Sequence, residues 1–517
     1  MNLVELFDQR VARQPEAPAI FTSHRDIDTP TSFEDLAENS RRIATELRRR
    51  GLSAGDPVLV LVPMSARLYE VLIALWRVGA TAVFLDPSAG LGHIARCCEI
   101  LPPKAVVAPR IALLLRLVSP ALRRIPLAVP VDALANADAP ALATAASVTD
   151  DDSALVTFTS GSTGLPKAAV RTHGFLATQY DVLARHLELA RGQIDLATLP
   201  IFVLANLGAG VTTVIPDADL RRVGSVDAAP VVAQISRLDV TRASGSPSFL
   251  QRLAEHCERE GVTLDWLASV HTGGAPVFPS LLDRLGKIAP NASIHAVYGS
   301  TEAEPIASFR VQDLAAEDRA AMKSGSGLFA GPPVPEIELR VVRAEWGAPL
   351  GPFTPEAFGA TWCHPGEAGE IVVSGAHVLP GYLGGRGDSE TKFEVAGVRW
   401  HRTGDAGCLD ADGRLWLLGR AGSVICDERG TLHPFAVECA LSGFPGVART
   451  ALLGWRGRRI LLVEPEDGTT LEPDHVLSAV PWAGLDECRI VRHIPVDKRH
   501  NAKVDYPALE RMMARRR

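Results

Sequence analysis

The run Thr157-Phe-Thr-Ser-Gly-Ser-Thr-Gly-Leu-Pro-Lys167 gathers hydroxyl residues, two glycines and a lysine into eleven positions. Glycine lets the backbone turn its N–H groups toward an anion, and Ser or Thr hydroxyls add donors. Lys167 adds a compact positive charge. Such a set suits a polyphosphate. It is not a Walker A loop, because no Gly-Lys-Ser/Thr occurs at the required spacing. A second group is Val297-Tyr-Gly-Ser-Thr-Glu302, where a turn of small residues sets a hydroxyl beside a carboxylate. A carboxylate next to phosphate oxygens is an ordinary Mg²⁺ ligand. A third is Trp400-His-Arg-Thr-Gly-Asp405, whose terminal acid could accept both hydroxyls of a ribose. Taken singly, each of these is also what an ordinary turn looks like.

The elements that must position them follow a strand–helix–strand rhythm. Ala154–Phe158 reads as a short buried strand leading into the first run, as do Asp56–Val62 and Ala82–Leu85, with a helix over Leu68–Val78. That alternation predicts α/β layers with mainly parallel sheets. Further on, Gly369–Gly375 and Arg414–Gly419 read as β segments separated by turns. The Ala-rich stretch Asp132–Ser147 predicts a helix plus a loop, and no internal repeat is visible. A domain boundary is expected just after Gly419-Arg420, since about a hundred residues with their own pattern follow. The domains are then 1–421 and 422–517, with Gly422 as hinge, because glycine absorbs large dihedral changes.

At 517 residues the chain is long enough for more than one domain, and 47% apolar with 22% charged residues is ordinary for a globular protein. A net charge of -7 argues against a nucleic-acid partner, which calls for a basic stripe. The basic end Arg511–Arg517 reads as the solvated close of a helix. Eight cysteines without a CxxC pair point to a reducing compartment, with neither disulfide framework nor structural zinc. The first ten residues carry early acids and do not form a signal peptide. The most apolar stretch, Ile111–Val129, is interrupted by Arg116, Arg123, Arg124 and prolines, so no membrane span is expected. The reading is a soluble, cytoplasmic protein.

The order TSGSTGxPK, with YGSTE downstream, resembles the phosphate loop and YGxTE signature of the adenylate-forming superfamily of acyl-CoA ligases, peptide-synthetase adenylation domains and luciferases. His271-Thr-Gly-Gly-Ala-Pro276 matches its adenine-side loop, and Asp405 followed by Gly419-Arg420 stands at about the family's intervals. The resemblance runs from the N-terminal helix to Lys503. It implies an α/β fold: a large N-terminal domain with two sheets flanked by helices plus a small distorted barrel, and a small mobile α+β C-terminal lid. It implies ATP and Mg²⁺ as cofactors. Thr159, Ser160, Gly161, Ser162, Thr163 and Gly164, with Lys167, would then take the phosphates. Gly273, Gly274, Ala275, Pro276, Tyr298, Gly299 and Ser300 would line the adenine. Thr301 would contact the α-phosphate, Glu302 would hold magnesium, Asp405 would bind the ribose assisted by Arg420, and Lys503 would act on the reacting carboxylate and α-phosphate. The family usually has glycine before that lysine; here it is Ala502.

Two departures stand out against typical acyl-CoA ligases. The run Ala421–Pro434 has Leu432 where such ligases carry arginine, and its Gly-to-Pro spacing is one residue shorter. In Leu199–Asn206, Val203 replaces a frequent histidine. The altered stretches resemble β-lactone synthetases of bacterial olefin biosynthesis: Asp427-Glu-Arg-Gly-Thr-Leu-His-Pro434, Phe444–Val447, Ala451–Gly454, Gly245–Pro247 and Pro495–Lys503. That resemblance implies a small-molecule carboxylic acid substrate of 3-hydroxy acyl type and a β-lactone product, with a pathway enzyme or carrier protein as a possible partner. Phe202, Val203, Asn206 and Ser246 are the acyl-pocket candidates. The alternatives are a fatty acyl-CoA or acyl-carrier-protein ligase using the same adenylation, and a degenerate nucleotide-binding protein without activity.

Overall fold

The computed structural model describes residues 3–25, 27–85, 89–135, 140, 142, 144–160, 165–497 and 503–515. They form two compact units: Met1–Arg221 with Asp227–Gly245 and Leu379–Asp388, and Arg222–Val226 with Ser246–Val378 and Ser389–Arg517.

The first unit contains a six-stranded sheet in the order Leu127–Pro130, Ala105–Ala108, Pro57–Val60, Thr81–Phe84, Ser153–Ser160, Pro166–Thr172. All neighbours are parallel except the last pair. Its central strands are short runs of Val, Ala and Leu; all four residues of Ala105–Ala108 are buried. Such runs suit strands covered on both faces. The helix Ala66–Val78 starts where Ser65 caps Leu68 N–H and stops at Gly79, whose φ of 83° is left-handed. It is apolar nearly all round and correspondingly buried, and its Trp76 Nε1 donates to Ala154 O at 2.9 Å. That bond fixes the start of Ser153–Ser160, the strand that delivers the glycine- and hydroxyl-rich run. Among the described residues, the helix expected in Asp132–Ser147 is seen as the short helix Val131–Ala135; Asn136–Ala139, Ala141 and Ala143 lie outside the described residues. A second run of strands in this unit, Arg242–Gly245, Ile194–Ala197, Thr212–Ile215, Pro18–His24, Ile27–Ser32, is parallel up to its antiparallel last pair.

In the second unit Ser269–Gly273 lies parallel to Ser293–Ser300, and Ala303–Arg310 lies antiparallel to the latter. A separate antiparallel sheet runs Leu328–Gly331, Leu415–Arg420, Val398–Leu409, Gly369–Ser374, Glu338–Val342, with Lys392–Val395 also on Val398–Leu409. Register breaks at Ala406/Gly407 and Glu370/Val372 bend this sheet beside Asp405. The stretch from Ile425 has cores of its own on the two faces of a three-stranded sheet, Val447–Trp455, Arg458–Pro465, Glu487–Ile490. Leu452 and Leu461 face one core; Ala451, Leu453 and Leu462 face the other, as the two-residue period of a strand requires. The observed class is therefore the expected α/β arrangement, with a curled antiparallel sheet and an α+β C-terminal part. No helix among the described residues is long and apolar enough to cross a membrane.

Glu438, on the helix Pro434–Ala440, is buried, and its Oε1 accepts Leu452 N–H at 3.1 Å and Tyr506 O–H at 3.3 Å. Burial raises its pKa from 4.5 to about 7. The folded state thus holds this proton more tightly than the unfolded chain. The associated stability is complete below about pH 4.5 and is lost as pH rises through about 7, at about 1.4 kcal/mol per unit. Glu438→Gln keeps the acceptor and removes the titration. Thermal melts should show the variant matching the parent near pH 4.5 and exceeding it by several degrees at pH 8. Parallel pH profiles would refute this account.

Candidate nucleotide site

In the first unit, the strands Ser153–Ser160 and Pro166–Thr172 pair antiparallel, with Thr159 opposite Lys167 and Ser160 opposite Pro166. Gly161, Ser162, Thr163 and Gly164 connect these strands and lie outside the described residues, as does the side chain of Ser160. Lys167 is itself buried, at 6% exposure. Its ammonium lies 5.7 Å from the ring centroid of Tyr382. Its stem runs over Gly387: a Cβ there would meet Lys167 Cδ and Cε at 2.6 Å, and Gly387 has a left-handed φ of 101°. Only glycine satisfies both conditions without displacing the lysine. Tyr382 is itself placed by a bridge to Ala169 and by its N–H donating to Asp388 Oδ1 at 2.9 Å. The segment around Gly381-Tyr382 thus seats Lys167, a role that its spacing alone did not reveal.

In the second unit, Ser300 pairs with Ala303, so Thr301 and Glu302 form a two-residue hairpin turn. Ser300 Oγ accepts the N–H groups of Glu302 and Ala303, each at 3.2 Å. That sets the turn which presents Thr301 and Glu302, both partly exposed. Gly273 lies opposite Val297, and a Cβ on it would sit 2.6 Å from Val297 O. Gly274 takes a left-handed φ of 81°. The two glycines are therefore required for different reasons, close strand approach and a reversed turn. Ala275 and Pro276 continue that loop. His271 and His295, paired across the same strands, stack at 4.5 Å.

Within the second unit Asp405 is the meeting point of two of these motifs. Tyr298 Oη donates to its Oδ2 at 2.8 Å, and Arg420 Nη1 donates to its Oδ1 at 2.9 Å. Arg420 stands directly opposite it in the ladder between Val398–Leu409 and Leu415–Arg420. Burial, then the Asp405 charge, raises the Tyr298 hydroxyl well above the ordinary tyrosine value. The same carboxylate raises the Arg420 pKa. A carboxylate offers about four lone-pair sites. Two are occupied here, which leaves acceptors for a vicinal diol. His401, opposite Lys392, is buried; burial, then the Lys392 charge, lowers its pKa to about 3, so its ring is neutral.

The remaining sequence-predicted residues are dispersed. Phe202, Val203 and Asn206 lie on the helix Pro200–Ala209 and are buried. Asn206 Nδ2 donates to Asp195 Oδ2 at 2.8 Å and to Thr213 Oγ1 at 3.1 Å, while Asp195 also accepts Ser244 Oγ–H at 3.0 Å. Asn206 therefore belongs to a buried polar cluster that ties neighbouring strands. Ser246 caps the helix Pro247–Glu260, accepting Phe249 N–H at 3.4 Å. Lys503 has an exposed side chain; its N–H donates to Asp497 Oδ1 at 2.9 Å, and its carbonyl accepts Asp497 N–H at 2.8 Å. Lys498–Ala502, just before it, lie outside the described residues. Gly422 sits in the turn Ala421–Ser423, directly after Arg420 and its neighbour.

A family model described as AMP-binding enzyme matches residues 7–383. The chain belongs to this family. It is 31% identical to an olefin β-lactone synthetase of Stenotrophomonas maltophilia (strain K279a) over 506 residues, covering 92% of this chain and 90% of that protein. It is 30% identical to a feruloyl-CoA synthase of an Amycolatopsis species over 483 residues, covering 91% and 90%. Among solved structures, O-succinylbenzoate coenzyme A synthetase from Bacillus subtilis in complex with ATP and magnesium ion superposes with a TM-score of 0.77 at 21% identity, covering 96% of this chain and 98% of that one. As an AMP-forming ligase the enzyme takes ATP and Mg²⁺. The described residues would suit that load: Lys167, with Thr159 opposite it, for phosphate, Asp405 with spare acceptors for a ribose, and Glu302 for the cation. Mg²⁺ commonly takes one or two protein carboxylates and completes its shell with phosphates and water.

Asp405→Ala should weaken ATP binding by about 10- to 100-fold, since hydrogen bonds to charged acceptors are worth roughly 1.5–3 kcal/mol. Titration calorimetry with Mg·ATP reads it directly. An unaltered Kd in a folded variant would leave Asp405 only its pairing with Tyr298 and Arg420.

Proposed function

We propose that this enzyme activates a 3-hydroxy acid as its acyl-adenylate and closes it to a β-lactone. The observation that carries this reading is the turn after Arg420. Leu432, at the position where acyl-CoA ligases resemble one another in carrying arginine, is buried at 6% exposure among Ile425, Val437 and Leu441. The turn's own charges are engaged with one another. Arg459 Nη2 donates to Asp427 Oδ1 at 2.7 Å, and Arg429 bonds both Asp427 and Asp486. An apolar plug and neutralised ion pairs offer little to an incoming thiol's phosphates. Similarity to the olefin β-lactone synthetase over nearly the whole chain supports the same reading.

In the first step a carboxylate oxygen of the substrate attacks the α-phosphorus of ATP and pyrophosphate leaves. Thr159–Gly164 and Lys167 hold the phosphates, Tyr298 flanks the adenine, Asp405 with Arg420 takes the ribose, and Thr301 contacts the α-phosphate. Glu302 would hold Mg²⁺, which neutralises polyphosphate charge. Lys503 steadies the charge that develops as the carboxylate attacks. In the second step the 3-hydroxyl oxygen forms a bond to the acyl carbon. The bond from that carbon to the phosphate oxygen breaks, AMP leaves, and the hydroxyl proton passes to the phosphate or solvent. The nucleophile is already tethered, which raises its effective concentration, although four-membered ring strain limits the gain. Exclusion of water would protect the anhydride. In this reading residues 1–421 form the adenylation domain. Residues 422–517 form a lid that turns about Gly422 to bring Lys503 to the first step. The enzyme works in the cytoplasm, where a pathway enzyme or carrier protein could deliver the acyl chain. Acyl-pocket roles for Phe202 and Val203 belong to the same reading, whereas Asn206 is engaged with Asp195 and Thr213 and Ser246 with the Phe249 N–H. The second reading, an acyl-CoA ligase, is supported by the similarity to feruloyl-CoA synthase.

With ATP, Mg²⁺ and a 3-hydroxy fatty acid, mass spectrometry should find AMP and β-lactone without any CoA. The acid lacking the hydroxyl should stall as bound acyl-adenylate. Thioester from both acids once CoA is added, with lactone from neither, overturns lactone formation in favour of the ligase.

Lys503→Ala should lower carboxylate-dependent pyrophosphate exchange by about 10²–10³, by analogy with removal of one preorganised donor. ATP affinity should hardly move, because the lysine acts on transition-state charge. Normal exchange would place Lys503 on the surface.

A further inference from the structure

Trp346 belongs to none of the recognised motifs, yet it touches both ends of the ribose site. It lies in a loop whose carbonyls at Glu345 and Ala348 accept from the buried Arg402 guanidinium, at 3.2 and 2.5 Å. That guanidinium also sits 5.5 Å from the Trp346 ring centroid. Gly404, with φ of 69°, backs onto the far edge of the indole: a Cβ there would lie 2.6 Å from Trp346 Cη2 and 3.1 Å from Arg420 Nη2. Gly422 backs onto the near edge, where a Cβ would lie 2.9 Å from Trp346 Nε1. One indole therefore fills the space left by two glycines. One immediately precedes Asp405; the other lies two residues after Arg420. Asp405 and Arg420 are joined across the ladder and by their ion pair.

We infer that Trp346 is a positioning residue that holds Asp405 and Arg420 in place for the ribose and couples that pair to the segment at Gly422. The half-buried indole is a rigid plate held between the Arg402 guanidinium and the buried Gly404, so it has little room to give when Gly422 presses on its other edge. A push at Gly422 is therefore felt at Gly404, and so at the carboxylate one residue on. The inference rests on the reading that Asp405 takes the ribose.

The test is a double-mutant cycle read as ATP KM and kcat in pyrophosphate exchange. Trp346→Ala should raise the ATP KM by about fivefold or more while kcat changes less than about twofold, the split expected when binding rather than transition-state charge is disturbed. Gly422→Ala adds a methyl group against the indole edge and should also raise KM, about threefold, although residue 422 makes no contact with Asp405 in the ladder. In the Trp346→Ala background the same Gly422→Ala change should have no further effect. Additive effects of the two changes, or a Trp346→Ala variant with a lowered Tm but an unchanged KM, overturns the inference. Trp346→Leu takes the place of the alanine should that variant fail to fold. Asp405→Ala separates the two levels: if it leaves ATP binding intact, the ribose reading itself fails. If it weakens ATP binding while Trp346 and Gly422 variants do not, only the coupling through Trp346 fails.

Discussion

The ion pair between Glu370 and Arg402 is the constraint on which the surroundings of Asp405 depend. Both side chains are almost wholly buried, and the contact is 2.6 Å. A buried guanidinium must have its donors satisfied, because an unpaired charge in the interior costs several kcal/mol. Arg402 meets that demand with one carboxylate on the neighbouring strand and two carbonyls in the 345–348 loop. The demand thereby locks two strands and a loop together three residues before Asp405. A register break against Gly369–Ser374, between the pairs Glu370–Ala406 and Val372–Arg402, falls across Asp405, whose side chain meets Tyr298 and Arg420.

Glycines mark where this arrangement is tightest. At Gly273 the obstacle to a side chain is a backbone carbonyl, at Gly387 the stem of Lys167, and at Gly404 an indole. In each case a functional or supporting group occupies the volume that a Cβ would take. The glycines of the candidate site are thus contact surfaces as much as flexible joints. Other glycines of the chain have nothing within 4 Å and serve their turns alone, Gly397 and Gly413 among them.

The two chemistries weighed for the second step differ in what they ask of the protein. A thiol cofactor has to be bound, steered by charge and admitted to the anhydride. A 3-hydroxyl arrives with the substrate and asks only for a pose and for dryness. The Asp427–Arg429–Arg459–Asp486 network is consistent with the second demand, since its charges serve to hold the C-terminal turn rather than to meet a ligand. The motif Asp-Glu-Arg-Gly that drew attention in the sequence is, in the fold, a structural clasp.

The sequence by itself determined the class of fold and the family, because both are written in local patterns. Short apolar runs between amphipathic helices require a layered α/β structure, and hydroxyl, glycine and lysine at fixed spacing carry the family resemblance. The strands at Pro57–Val60, Thr81–Phe84 and Ser153–Ser160, and the helix Ala66–Val78, all appear where periodicity put them, within a residue or two. Asp405, Arg420 and Tyr298, singled out through motifs that resemble the family's, are joined by hydrogen bonds in the fold. What only the tertiary structure decided are relations between residues far apart in the chain. Tyr298 reaches Asp405 across 107 positions. Lys167 is seated by Tyr382 and Gly387, and Asn206 is committed to Asp195 and Thr213. Trp346, an unremarkable residue in a loop, comes to fill the space beside Gly404 and Gly422. No local pattern encodes such contacts, because burial and hydrogen-bond satisfaction are settled only when the strands that carry the partners are brought side by side.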